Sequence, residues 1–254
     1  MDLAATRGVA SRLEVLPAIG STNAALSERA ADAVAWPHLS VLLTDTQTAG
    51  RGRLDRSWTA PPGSSLAVSV LLRRLPADPD ARGWISLAAG LAMAEAVAEQ
   101  LPDRRVAVKW PNDVLVEGRK ICGILAQAVP DAVIVGTGVN TSMTAAQLPV
   151  PTATSFAALG VVVDEDRLLS VYLRELDGRI SDLVHAGDAV ASGLHAAVSA
   201  RCATIGADVR VTLPGERMLV GTAVAVDPAG RLVVLSAGQH VAVSAGDVVH
   251  VRPA

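Results

Sequence analysis

Arg51, Arg53 and Arg56 lie close together in residues 46–58 (TQTAGRGRLDRSW), with Gly50 and Gly52 among them. Clustered guanidiniums repel one another unless an anion sits between them, and glycine permits backbone conformations closed to other residues. A loop of this kind can close over a phosphate or a carboxylate, which a guanidinium grips through paired hydrogen bonds. The same composition also suits a solvated basic loop. Two lysines stand in short motifs further along, Lys109 in KWPND (109–113) and Lys120 in KICGIL (120–125). Ser21, Thr22 and Asn23 precede a helical pattern, where such side chains either cap the helix or bind a ligand's polar head group.

Positioning these groups falls to a readable series of elements. Residues 13–19 read as a strand, and a helix runs from the Ser-Thr-Asn triplet to about residue 34. Strands at 38–44 and 65–72 flank the arginine loop, with Pro61, Pro62 and Gly63 turning its return arm. A helix at 83–100, apolar nearly all round, belongs against a sheet. Residues 105–110 alternate, with Val106, Val108 and Trp110 on one face and Ala107 and Lys109 on the other. After Pro111, Asn112 and Asp113, a hairpin turns at Glu117-Gly118 and returns over 120–127. Strict alternation puts Lys120, Cys122 and Ile124 on one face of it. A strand over 131–139 ends at Asn140. A long helix at 165–185, capped by Asp164, and a second at about 187–200 follow. Alternating segments at 209–213, 217–226, 231–235, 239–243 and 247–252 then predict a small barrel. The boundary falls near 203, giving domains 1–203 and 204–254.

The totals narrow the function. A chain of 254 residues, half of them hydrophobic, can bury a substantial core, and its net charge of −3 argues against a general nucleic-acid binder. Cys122 and Cys202 predict reduced thiols rather than a disulfide framework. The N-terminus shows no apolar signal region, and no apolar run reaches membrane-spanning length. His38, His185, His195, His240 and His250 lack metal-ligand spacing, so no structural zinc site is expected.

In order, STN before a helix, QTAGRGR on a loop, KWPND with KICGIL on a hairpin, and GTGVN ending a strand form a set. It resembles bacterial biotin–protein ligases, closely over residues 20–140, and the tail resembles that family's SH3-like C-terminal domain. The implied fold is α+β: a mixed sheet flanked by helices, like the catalytic domain of class II synthetases, plus a small C-terminal β-barrel. The resemblance implies that ATP, with Mg²⁺, activates biotin to biotinyl-5′-AMP and that the biotinyl group passes to a lysine of a carrier domain. The implied partner is the biotin carboxyl carrier domain of acyl-CoA or pyruvate carboxylases. Too few residues precede the motifs for the DNA-binding domain of larger members, so no DNA partner is expected. A cytoplasmic monomer or weak homodimer fits this picture.

By the same resemblance, Ser21, Thr22, Asn23, Gln47, Arg51, Gly52, Arg53 and Lys120 hold biotin, with Thr22 or Asn23 at the ureido ring. Arg51, Arg53, Arg56, Trp58, Lys109 and Asn140 hold ATP or AMP, and Lys120 and Arg51 serve the chemistry. Asn112 and Asp113 fix the hairpin or a metal. Asp113 fits a turn as well as a metal contact, Trp110 fits a sheet core better than a ligand platform, and Gly136 and Gly138 allow close backbone approach. Asp55 stands where the family usually has glycine, and is expected to pair with Arg53 or Arg56 in an open loop. The alternative is a lipoate- or octanoate-handling enzyme of the same superfamily.

Overall fold

The computed structural model describes residues 2–53, 56–213, 217–244 and 246–251. In chain order the elements are α1 (Ala4–Val9), β1 (Arg12–Val15), α2 (Thr22–Arg29), β2 (Ser40–Thr44), β3 (Gly50–Arg51), β4 (Ser57–Trp58), β5 (Ser65–Leu72) and α3 (Ile85–Gln100). There follow β6 (Val106–Lys109), β7 (Asp113–Val116), β8 (Arg119–Val129), β9 (Ala132–Asn140), α4 (Glu165–Ala186) and α5 (Leu194–Arg201). The chain ends in β10 (Asp208–Thr212), β11 (Met218–Val226), β12 (Leu232–Ser236), β13 (Gln239–Val243) and β14 (Asp247–His250).

Seven strands form one mixed sheet in the order β1-β2-β5-β9-β8-β7-β6. The β1–β2 pair is parallel and every other pair is antiparallel. β2 and β5 are buried along their whole length, because both faces of the sheet are covered. On one face the apolar sides of α3 and α4 pack onto Val68, Val70, Val135 and their neighbours. On the other face Leu26 and Trp36 pack on Leu42, Leu71 and Ile134. β3 and β4 pair with each other as a separate ribbon.

α2 stops at Arg29, short of the expected residue 34, because a turn takes over: the Asp32 carboxylate accepts from Val34 N and Ala35 N at 3.1 and 2.9 Å. α5 begins at Leu194 rather than near 187. Asp188 holds a turn at Val190 and Ala191, and Gly193 sits at φ 76° just before the helix.

The last five strands form an antiparallel sheet in the order β13-β12-β11-β10-β14, with no pairing between β13 and β14 among the described residues. The expected barrel is therefore seen as a small five-stranded antiparallel sheet, with no closure among the described residues. Its inner face, with Val209, Val211, Leu232 and Val234, is continuous with the core of the main sheet. Polar contacts reinforce the junction: Trp84 Nε1 donates to Pro228 O at 2.9 Å, Trp110 Nε1 donates to Gly230 O at 2.9 Å, and His195 Nε2 lies 2.8 Å from Val226 O. Trp110 is thus a core residue whose polar edge ties the two sheets together.

Candidate active site

The Ser-Thr-Asn triplet opens α2. Ser21 is its N-cap, with Oγ accepting from Ala24 N at 3.4 Å, so the capping role is real. Thr22 and Asn23 are buried and turn inward. Gln47 meets them from the start of the arginine loop, which is anchored beside the triplet by Thr48 N to Ile19 O and Ala49 N to Gly20 O. Gln47 Oε1 accepts from Thr22 N at 2.7 Å and lies 3.1 Å from Thr22 Oγ1. Asn23 Nδ2 donates to Leu125 O at 3.2 Å. Ser69, at the centre of β5, lies 2.6 Å from Asn23 Oδ1 and 2.8 Å from Thr22 Oγ1. A β-carbon at Gly136, opposite Ser69 in the sheet, would collide with the Asn23 amide. The close approach foreseen there is real and serves Asn23.

The loop folds back on itself as the β3–β4 ribbon, and Gly52 N donates to Arg56 O at 2.6 Å. Trp58 packs against the sheet at Gly138, where a β-carbon would come within 2.8 Å of the indole. Arg53 reaches away from the ribbon, with Nη1 donating to Asn112 Oδ1 at 3.0 Å and Nη2 to Gly246 O at 3.2 Å. Asn112 is itself fixed, since its Nδ2 donates to Ile124 O at 2.6 Å and its carbonyl accepts from Ile124 N. Asp55 and its expected pairing lie outside the described residues.

Lys120 corrects the strict-alternation reading. Between β7 and β8 the register slips: Val114 faces Cys122 while Leu115 faces Lys120, so Ile121 is an extra residue on β8. This bulge sends Ile121 and Cys122 both into the core and turns Lys120 to the Gly123 face. Cys122 is therefore not on the face of Lys120; burial pushes its thiol well above the usual range, although the Lys120 cation works the other way. Lys120 Nζ pairs with Asp113 Oδ1 at 2.5 Å; the two side chains are 44% and 17% exposed. The Lys120 backbone is clamped by Lys120 N to Thr152 O at 2.7 Å and Thr154 N to Lys120 O at 2.8 Å.

These parts enclose a cavity of about 190 Å³. Thr22, Asn23 and Gln47 line one end, Arg51, Gly52, Arg53, Arg56 and Trp58 one wall, and Lys120 with Asp113 the other. Four basic side chains and one carboxylate on its lining favour an anionic ligand. Among the described residues no three His, Cys, Asp or Glu side chains converge on a metal position.

Two expected ligand residues stand elsewhere. Asn140 is not on the cavity lining; its Nδ2 donates to Thr154 O at 2.9 Å, steadying the segment that clamps Lys120. Lys109, also off the lining, faces the C-terminal sheet near His250, whose pKa is lowered by burial first and by the Lys109 cation second. Asp113 gains a definite role as the partner of Lys120. Ser69 was not singled out beforehand; the one available signal was a polar residue amid the apolar run of β5.

The chain is similar to known proteins along most of its length. The model of the biotin/lipoate A/B protein ligase family matches residues 15–140, and that of the biotin protein ligase C terminal domain matches residues 204–251. The chain is 43% identical over 244 residues to a biotin--[acetyl-CoA-carboxylase] ligase of Mycobacterium tuberculosis, covering 95% of this chain and 90% of that protein. It is 34% identical over 169 residues to the bifunctional ligase/repressor BirA of Escherichia coli, covering 64% of this chain and 51% of that one. The fold matches that of the biotin protein ligase from Aquifex aeolicus in complex with biotin and ATP, with a TM-score of 0.79 at 24% identity, over 96% of this chain and 100% of that one. With its motifs, its sheet and both of its matched segments in agreement, the chain belongs to the biotin/lipoate A/B protein ligase family.

Proposed function

We propose that this protein is an ATP-dependent biotin–protein ligase. The observation that carries the reading is the bulge that turns Lys120 into a cavity ending in the Thr22–Asn23–Gln47 network and walled by the arginine loop. Biotin fits such a site end to end. Its neutral bicyclic head lies at the polar end, and its carboxylate reaches the cations.

In the first step a biotin carboxylate oxygen attacks the α-phosphorus of ATP. An oxygen–phosphorus bond forms, the bond to the β-phosphate oxygen breaks, and pyrophosphate leaves. Two anions must approach each other, and charge builds on the phosphoryl oxygens, so cations aimed there act mainly on the transition state. Lys120 and Arg51 take this role. Arg53 and Arg56 hold phosphate, the Gly52 amide exchanges its bond to Arg56 O for one to the ligand, and Trp58 packs on the nucleotide base. Mg²⁺ would be held mainly by the phosphates of the nucleotide, where it would offset their charge. In the second step the neutral amine of an acceptor lysine attacks the mixed anhydride carbonyl, AMP leaves, and the amine proton passes to solvent. The acceptor in this reading is the carrier domain of a biotin-dependent carboxylase. The catalytic part is residues 1–203 and the C-terminal part 204–254, in a cytoplasmic setting where ATP is available. No helix among the described residues is long and apolar enough to cross a membrane.

The test is ATP–pyrophosphate exchange. Exchange should depend on biotin and be absent without it. Exchange supported by lipoate or octanoate and not by biotin would overturn the reading in favour of the other branch of the family.

A further inference from the structure

We propose that Ser69, which does not line the cavity, is a positioning residue that sets the hydrogen-bonding polarity of the cavity floor and thereby selects the ureido ring. The inference deepens the biotin reading and rests on it. Ser69 is fully buried behind Thr22 and Asn23, with its hydroxyl near both, at 2.8 and 2.6 Å.

The directions of these bonds follow from proton counting. Leu125 O can only accept, so the Asn23 amide must present Nδ2 to it and Oδ1 to Ser69. Oδ1 in turn can only accept, so the single Ser69 proton goes to Asn23. The contact between Ser69 and Thr22 then needs the Thr22 proton. Gln47 Oε1, fixed as an oxygen by Thr22 N, is the other acceptor within reach of that proton. In either case the Thr22 hydroxyl has no proton left for the cavity. It offers a lone pair there, while Asn23 keeps its second N–H. The floor therefore presents an acceptor beside a donor, the complement of the adjacent N–H and C=O of a cyclic urea. Gly136 leaves the room that lets Asn23 hold this orientation. Without the Ser69 hydroxyl, the buried Asn23 Oδ1 loses its donor, and the amide is held in this orientation by the single longer bond to Leu125 O.

The test compares biotin with 2-iminobiotin, whose exocyclic group donates where that of biotin accepts. ATP–pyrophosphate exchange is measured with both, on wild type, Ser69→Ala and Ser69→Thr, with folding checked by thermal melting. Ser69→Ala should raise the KM for biotin about tenfold, leave the KM for ATP within about twofold, and narrow the preference for biotin over 2-iminobiotin by about fivefold or more. Ser69→Thr keeps the hydroxyl and should keep the preference. A merely structural loss would weaken both ligands alike. An unchanged preference in Ser69→Ala, or a preference lost equally in Ser69→Thr, would overturn the role of Ser69 while leaving the biotin reading intact. Wild-type exchange with lipoate alone would overturn both.

Discussion

Lys120 and Asp113 form an ion pair in the wall of the cavity. The carboxylate holds the ammonium in one place before any ligand arrives, which spares the reaction part of the cost of orienting it. Lys120→Ala should therefore lower the rate of adenylation by about 10² to 10³-fold, while the Kd for biotin changes only a few-fold, since the cation acts chiefly on the phosphoryl transition state. Single-turnover adenylation and calorimetry of biotin binding would check it; equal adenylation rates in mutant and wild type would refute it. The residue scale is also where sequence reading met its limit. Alternation assigns Lys120 and Cys122 to one face, and a single extra residue in β8 reverses that assignment. No motif announces such a bulge, because it is fixed by pairing with β7 and by the 152–154 segment that clamps the Lys120 backbone. Ser69 was hidden for a similar reason. A serine in an apolar strand gains meaning only when Asn23 and Thr22 are brought against it from elsewhere in the chain.

The arginine loop is the element on which the site depends most. Gln47 fastens its start to the triplet, the short ribbon shapes its middle, and Arg53 reaches from it to Asn112 and to Gly246. Its central link thus runs through the KWPND hairpin to the C-terminal sheet. A ligand that draws Arg51 and Arg53 inward should order the loop further. Biotinyl-AMP should accordingly slow proteolysis within residues 46–58. Arg53→Ala should weaken that protection several-fold while the fold survives, because the bonds to Asn112 and Gly246 that it removes are part-buried and polar. Limited proteolysis with and without the intermediate would test this, and a loop cut equally fast in all cases would count against it. The other elements were largely legible. β5 matches the apolar run that marks it, and α4 matches its periodic face and its Asp164 cap. Helix ends were read less well, because Asp32 and Asp188 divert the backbone into turns through side-chain bonds that periodicity does not register.

At the scale of the whole molecule, the two sheets share one apolar core and a polar seam. His250 lies in that seam, with Nε2 3.1 Å from Thr204 Oγ1, which also accepts from Trp110 N at 3.0 Å. Burial and the Lys109 cation hold its pKa below the ordinary value of about 6.5. The unfolded chain therefore binds this proton more readily than the folded one. The contribution of the group to stability is intact above about pH 6.5 and falls as the pH drops from there toward the folded value. His250→Gln should flatten that part of the profile: between pH 7 and pH 5 the Tm of wild type should fall further than that of the variant. Parallel melting curves across that range would refute it. Lys109 is the second cause of this shift.

Each of the four tryptophans has its own surroundings. Trp36 is covered by the guanidiniums of Arg12 and Arg29, at 4.1 and 5.1 Å from its ring centre, and Trp84 and Trp110 are buried with their indole N–H groups bonded to carbonyls. Trp58 alone rides on the arginine loop, its ring resting on the bare backbone of Gly138. The enzyme therefore carries a built-in optical probe. When ligand closes the loop, the change in intrinsic fluorescence should come from this one indole, so Trp58→Phe should abolish the ligand-dependent signal while the other three continue to emit. A signal that persists in the variant would show that ordering spreads into the core. Its loss would allow loop closure to be timed by stopped-flow mixing, without any label, against the chemistry beneath it.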